Sequence, residues 1–311
     1  ITGRIVALGQ VPANYEPAFP GSGYIHHFGF HALAACLAWL ARLEAPAAVL
    51  IYGQVLNALV AWTSALLAMR LSGRREAGVV TVLFIGLLAP MPAYYVTWGR
   101  YTLLPAALIA AMDDIEKEGL PALLLGALLA AGLALTHYRV LIFYGSFVVL
   151  YLLAALWRRR REPRARRALA QRVILLFGLF LLLVAPWLPR LWLYKGASLA
   201  SGEATWEGRP GLNTLPEALL WFPGMVPLYW AAGLGALVGL ARRRGAVLFV
   251  LLWVAGLYLL VNLPWGSNRG SWLLPNSALV IAAFLPAALL SGELGSALGA
   301  GLRRLPRWLE R

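Results

Sequence analysis

Residues 119–157, GLPALLLGALLAAGLALTHYRVLIFYGSFVVLYLLAALW, decide the fold of this chain. The stretch has 39 residues, and as one helix rising 1.5 Å per residue it would be about 58 Å long. The hydrocarbon core of a bilayer is only about 30 Å thick, so the stretch must cross it twice. Its polar break is Thr136-His137-Tyr138-Arg139. We therefore predict two spans joined at a membrane surface by these four residues.

The composition of the whole chain agrees with a membrane protein of many spans. Of the 311 residues 61% are hydrophobic and 13% are charged, and the mean hydropathy is +0.72. Soluble domains are roughly 45–50% apolar. The net charge of +14 comes from short bursts of arginine between apolar runs, which indicates topology rather than a nucleic-acid surface. The single cysteine, Cys36, excludes an intrachain disulfide and a thiolate metal cluster.

The distribution of arginine sets the orientation of the spans. Residues 158–172 contain eight arginines and are the strongest cytoplasmic signal in the chain. If residues 77–112 formed one span, the number of crossings before residues 158–172 would change by one and would place this arginine-rich segment outside. We therefore predict two spans within 77–112. The result is a single all-α transmembrane domain over 1–311, with about nine spans: 47–69, 77–90, 103–112, two within 119–157, 173–194, 215–240, 246–263 and 276–298.

Two placements of the N-terminal region remain open at this point. Residues 1–23 are rich in Pro and Gly and are predicted to form a loop, and residues 24–43 are apolar but carry His26, His27 and His31. If 24–43 span the membrane, the loop is cytoplasmic. If they lie in the outer interface, it is outside. The chain begins at Ile1 without a signal peptide, and we expect the natural protein to begin upstream.

The polar residues that topology does not explain collect at the outer ends of the spans. Ionisable groups near the membrane interior are functional candidates, and guanidinium forks bind phosphate while aromatic faces pack against sugars or lipid tails. This pattern suits the anionic headgroup of a lipid. The predicted substrate-binding residues are His27, His31, Arg100, Tyr101, His137, Tyr138, Arg139 and Arg269.

Simpler roles compete with binding at several of these positions. Arg100 sits among aromatic residues and is equally explained by reaching the lipid headgroups or by a cation–π contact. His27 and His31 are four residues apart, as metal ligands on a helix are, but no Cys or Glu nearby completes a site and a hydrogen-bonded pair is the alternative. Asn268 and Arg269, beside tryptophans, also fit an interfacial aromatic belt.

Three stretches of the chain resemble the GT-C-type glycosyltransferases, polytopic enzymes that use polyprenyl-phosphate sugars. They are RIVALGQVP at 4–12 leading to YIHHFGFH at 24–31, PMPAYYVTWGRYT at 90–102, and THYR at 136–139. The resemblance implies a juxtamembrane helix over 24–43, with residues 1–43 outside. The bundle then covers 47–311, and its longest hydrophilic segment, 195–214, is predicted to be a mobile outer loop. The resemblance also implies a catalytic aspartate upstream of Ile1.

The resemblance further implies an inverting transfer from a polyprenyl-phosphate sugar, on the outer face of a prokaryotic plasma membrane. Arg100 and Arg139 would hold the phosphate, His27, His31 and His137 would bind sugar or acceptor, and the 195–214 loop would close over the site. The family often has a second acid after the arginine of the second outer loop. Here Tyr101 and Thr102 stand there, which counts against a divalent metal, and no other cofactor is implied.

Two other classes of protein fit the same sequence. One is a transporter or flippase for a lipid-linked substrate, although such proteins tend to show internal repeats and polar breaks near the midplane, and the sequence shows neither. The other is a non-catalytic membrane subunit, because the few outer acids of this sequence include no aspartate.

Overall fold

The structure, a computed structural model, describes residues 1–12, 28–88, 103–117, 119–189, 225–262, 274 and 276–302. The predicted loops at 90–102 and 195–214 lie outside these residues. The described helices are α1 Thr2–Leu8, α2 Phe28–Ala41, α3 Ala45–Ser72, α4 Arg75–Leu83 with a π-helical turn Phe84–Leu88, α5 Leu103–Glu116, α6 Leu120–Thr136, α7 Tyr138–Arg158, α8 Pro163–Val184, α9 Val226–Ala241, α10 Gly245–Asn262, α11 Asn276–Ala282 and α12 Phe284–Leu302.

The helices confirm an all-α integral membrane protein. Five helical segments are long and apolar enough to cross a bilayer: Ala45–Ser72, Arg139–Arg158, Pro163–Val184, Gly245–Asn262 and Ala278–Gly301, the last of which runs through α11 and α12. Three shorter apolar helices, α2, α6 and α9, accompany them among the described residues. The 14 described residues of α2 extend about 21 Å. The interfacial placement of residues 24–43 stays a prediction.

Two predicted segments differ from the observed helices. Part of the predicted 1–23 loop is helical, because α1 buries Ile5 against Ala35 of α2 and ends at Gly9, whose φ of 67° suits glycine. The predicted span 276–298 is present as the apolar stretch Ala278–Gly301, but a turn at Ala283 separates α11 from α12 within it. Pro286 lacks an N–H to bond the carbonyl of Ala282, the residue at which α11 ends.

Two compact units divide the chain. The first comprises Ile1–Ala58 and Tyr95–Ala204, and the second comprises Leu59–Tyr94 and Thr205–Arg311. In the first unit α6 is central: it packs against α2, α5, α7 and α8, while α1 lies on α2. The prediction of one domain over the whole chain stays a prediction.

Polar contacts at the acidic end of α5 hold the first unit together. Arg172 of α8 donates from Nε to Asp114 Oδ1 at 2.8 Å and from Nη2 to the carbonyl of Gly119 at 2.5 Å. Arg159, which follows α7, donates to the carbonyl of Ile115 at 3.0 Å, and the Tyr151 hydroxyl of α7 donates to Glu116. The end of α5 is thereby tied to both α7 and α8.

The second unit is built on α12, which packs against α4, α9 and α10. A side chain at Gly235 of α9 would clash with the carbonyl of Leu290, and one at Gly295 of α12 would clash with Val80 of α4. Glycine lets these backbones approach closely, which is how helices in lipid gain packing energy. Glu293, only 3% exposed on α12, pairs with Arg244 at 3.5 Å.

We expect Arg172→Ala to destabilise the protein by about 3–5 kcal/mol, because Asp114, only 1% exposed, would be left as an uncompensated buried charge. The matched control is Arg166→Ala on the exposed part of the same helix, which should change the free energy of unfolding by less than about 0.5 kcal/mol. Unfolding in detergent micelles measures both. Equal stability of the two variants would contradict the role given to Arg172.

Candidate functional site

The predicted polar break lies between α6 and α7 and is a single residue long. Helix α6 ends at Thr136, α7 begins at Tyr138, and His137 between them has an extended backbone with φ −165° and ψ 103°. Its N–H bonds the carbonyl of Leu133 at 2.8 Å, and its carbonyl accepts from the N–H of Val140 at 2.9 Å. His137 therefore closes one helix and opens the next, and it is only 6% exposed.

The first turn of α2 lies directly against this junction. A Cβ added to Gly29 would be 2.8 Å from the Thr136 methyl group and 3.2 Å from the carbonyl carbon of Leu135. The Thr136 hydroxyl donates to the carbonyls of Gly132 at 2.8 Å and Leu133 at 3.2 Å, which fixes the orientation of that methyl group. Glycine is thus required for α2 to approach the junction this closely.

His31 faces α1 rather than the junction. Two residues turn an α-helix by about 200°, so His31 lies on the side of α2 opposite Gly29. Its Nδ1 is 2.9 Å from the hydroxyl of Thr2, and its ring meets that of Phe30 edge-on at 5.2 Å. Burial, and after it repulsion by the positively charged amino group of Ile1, lowers the pKa of His31 to about 4, so the imidazole is neutral near pH 7.

Helix α1 is fixed to α2 at three points along its length. Thr2 bonds His31, Ile5 packs on Ala35, and the indole N–H of Trp39 donates to the carbonyl of Val6 at 3.3 Å. Because successive residues of α1 meet successive residues of α2, the two helices run in the same direction. Helix α2 is consequently held between α1 and the α6–α7 junction.

The structure brings some of the predicted site residues into one unit. His31, His137 and the partly buried Arg139 all belong to the first unit, on α2, at the junction and in the first turn of α7. The predicted residues His27, Arg100, Tyr101 and Arg269 lie outside the described residues, as does the side chain of Tyr138. The metal alternative for His27 and His31 is therefore untested.

Two residues that shape this region, Thr2 and Gly29, were not predicted from the sequence. Thr2 was part of a segment predicted to be a loop, and Gly29 was one of 31 glycines in the chain. The only signal for Gly29 is its position between two aromatic residues, Phe28 and Phe30, where a small residue opens a gap on one face of the helix. Sequence alone does not reveal which helix fills that gap.

The chemistry available at the junction is hydrogen bonding and anion binding. His137 and Arg139 occupy the start of α7, and a guanidinium at such a place can hold a phosphate through two parallel bonds. A neutral imidazole such as His31 can donate or accept a hydrogen bond, but it adds no charge. The region thus contains the groups needed to bind a phosphate and hydroxyl groups of a ligand.

A solved structure has a similar fold. The fold resembles that of ArnT. The crystal structure of apo ArnT from Cupriavidus metallidurans matches with a TM-score of 0.57 and 18% sequence identity, over 95% of this chain and 53% of the ArnT chain. This confirms the predicted GT-C-like fold, and the chain spans about half the length of the ArnT chain. No protein-family model matches the sequence, and a comparison with curated proteins found no match.

We expect Gly29→Ala to destabilise the protein by about 1–3 kcal/mol, because the added methyl group must displace Thr136 or the backbone at Leu135. Gly145→Ala on α7 is the matched control, since nothing lies within 4 Å of its added Cβ. That variant should gain up to about 1 kcal/mol from helix propensity. Thermal unfolding in detergent compares the two, and a stabilised Gly29→Ala would contradict the tight contact.

The low pKa of His31 predicts that stability falls in mild acid. The unfolded chain takes up a proton near pH 6.5, whereas the folded protein resists it until about pH 4. The contribution of neutral His31 to the free energy of unfolding is complete above pH 6.5 and is lost as the pH falls towards 4. Melting temperatures from pH 7 to pH 5 should decrease more for the wild type than for His31→Gln. An equal decrease would assign the pH dependence to other groups.

Proposed function

We propose that this protein is a membrane glycosyltransferase, which moves a sugar from a polyprenyl-phosphate carrier to an acceptor at the outer face of the membrane. The observation that carries the proposal is the packing of the α2 start against the His137 junction within an ArnT-like fold. The same two segments, 24–31 and 136–139, are among the three that resemble GT-C-type glycosyltransferases.

The length of α7 supports the proposed outer location of the site. This helix has 21 residues and extends about 31 Å from Tyr138 to Arg158, which matches the thickness of the bilayer core. Its far end leads into the arginine-rich turn at 158–167, which the positive-inside rule assigns to the cytoplasm. The His137 junction at the near end is then on the opposite side.

In the proposed reaction, an acceptor hydroxyl attacks the anomeric carbon of the sugar, and the bond from that carbon to the carrier phosphate breaks. The phosphate leaves with the electron pair, and the hydroxyl proton passes to a carboxylate. Arg139 binds the phosphate and stabilises the negative charge that grows on it, with Arg100 as the second predicted contact. Attack opposite the leaving phosphate inverts the anomeric configuration.

The imidazoles act on the uncharged parts of the substrates. The Nδ1 atom of His31 is hydrogen-bonded to Thr2, so its Nε2 atom is the one that would bond a hydroxyl of the sugar or the acceptor. His137 and His27 are proposed to bind hydroxyl groups in the same way. We assign the proton acceptor to an aspartate upstream of Ile1, which the resemblance places shortly before α1.

Arg139→Ala tests the proposed phosphate contact in the full-length protein. We expect transfer of labelled sugar from a polyprenyl-phosphate donor to fall about 100-fold or more, because a positioned donor to the developing charge is lost. Arg139→Lys should retain part of the activity, since it keeps the charge without the planar fork.

Arg242→Ala serves as the control, because this arginine is exposed in the turn after α9, and its transfer rate should be unchanged. Unaltered transfer by Arg139→Ala would contradict the phosphate role. Movement of the intact donor across proteoliposomes without product would favour a flippase over a transferase.

A further inference from the structure

Arginines at the α7–α8 turn divide into two groups by what they contact. Arg159 and Arg172 bond the end of α5, as described above. The others in this segment, Arg158, Arg160, Arg161, Arg164, Arg166 and Arg167, are exposed. No ion pair joins any of these six to a side chain in the described part of the chain. The only acid among residues 157–172 is Glu162, so the exposed group has a clear excess of positive charge.

The exposed group lies at the depth of lipid headgroups. The apolar part of α8 begins at Val173, and Arg167 precedes it by six residues, or about 9 Å of helix. The headgroup region on each side of the core is about 5–8 Å thick, and the long arginine side chain can bend back towards it. Arg164 and Arg167 are three residues apart and share one face of α8.

An exposed tryptophan marks the same depth independently. Trp157, in the last turn of α7, is 69% exposed, and the guanidinium of Arg160 lies 4.8 Å from its ring centre. Tryptophan is enriched where the membrane core meets the headgroups. Large apolar side chains are exposed on the side of Trp157 that faces the membrane core. Leu153 of α7 is 58% exposed and Ile174 of α8 is 70% exposed. The surface therefore combines exposed positive charge with apolar surface suited to acyl chains.

We propose that Arg160, Arg161, Arg164 and Arg167 form a binding site for anionic phospholipid of the inner leaflet. Their guanidinium groups bind the headgroup phosphate, and the acyl chains lie along the apolar side chains next to Trp157. The arginines of this site are not needed only to orient the spans, because the arginines at 242–244 in the turn after α9 also contribute to that orientation. The site is also separate from the proposed transferase site, which lies at the other end of α7.

Native mass spectrometry of the detergent-purified protein tests the site, with phosphatidylglycerol as the probe and phosphatidylcholine as the neutral comparison. Each arginine near an anionic lipid surface contributes about fivefold in affinity. Arg161→Ala with Arg164→Ala should therefore weaken the binding of the first phosphatidylglycerol about 25-fold. Both side chains are exposed, so the variant is expected to fold.

The matched control removes the same charge elsewhere, through Arg242→Ala with Arg243→Ala, both exposed in the turn after α9. Its affinity for phosphatidylglycerol should match that of the wild type. Equal losses in the two double variants, or equal binding of phosphatidylcholine and phosphatidylglycerol by the wild type, would overturn the proposal. The proposal would also be overturned if the Arg161/Arg164 variant lost binding of polyprenyl phosphate but kept binding of phosphatidylglycerol. The arginines would then bind the carrier lipid instead of a phospholipid.

Discussion

The contact between Gly29 and the end of α6 is the constraint on which the arrangement of the candidate site depends. A side chain at this position would meet a threonine methyl group that two hydrogen bonds hold in place. Because glycine removes that obstacle, the short helix α2 can rest against the His137 junction with α1 on its other side. In the proposed function, the same contact fixes the distance between the imidazole of His31 and the arginine at the start of α7.

The sequence predicted features that follow from the thickness of a bilayer. The division of residues 119–157 at Thr136–Arg139 was confirmed, because a stretch too long for one span and with one polar break has few alternatives. The helical nature of 28–41 was also confirmed. By contrast, the break between α11 and α12 was missed, although Pro286 was visible, because hydropathy runs through it without change.

Packing partners could not be predicted, because hydrophobicity does not separate lipid-facing from protein-facing surface in a membrane. On α2 the buried residues include Ala34 and Ala35, both fully buried, whereas Leu40 is 87% exposed. All three are apolar. Residue size carries part of the information, since small residues let helices approach, but Phe30 of α2 is large and is also buried. The residues Gly235 and Gly295 of the second unit follow the same rule.

Charge is equally ambiguous when only its position along the chain is known. The rule that loops rich in arginine face the cytoplasm treats Arg159, Arg161 and Arg172 alike, yet Arg159 and Arg172 are used inside the protein. These two arginines differ from Arg161 because they reach the acidic end of α5, and the rule gives acidic residues little weight. Asp114 and the carbonyl groups near it select the arginines that fold against them. By contrast, Arg161, Arg164 and Arg167 are exposed at the surface of the protein.

The protonation of His31 bears on which part of a substrate lies near it. A phosphate close to this ring would favour the charged imidazolium and would raise its pKa, so binding would require uptake of a proton near pH 7. A sugar hydroxyl imposes no such requirement. The buried, neutral state of His31 therefore favours contact with an uncharged hydroxyl, and it leaves the phosphate to arginine, whose charge persists at every physiological pH. If the proposed function is correct, the two sides of α2 would therefore contact different parts of one substrate, the sugar towards α1 and the carrier phosphate towards Arg139.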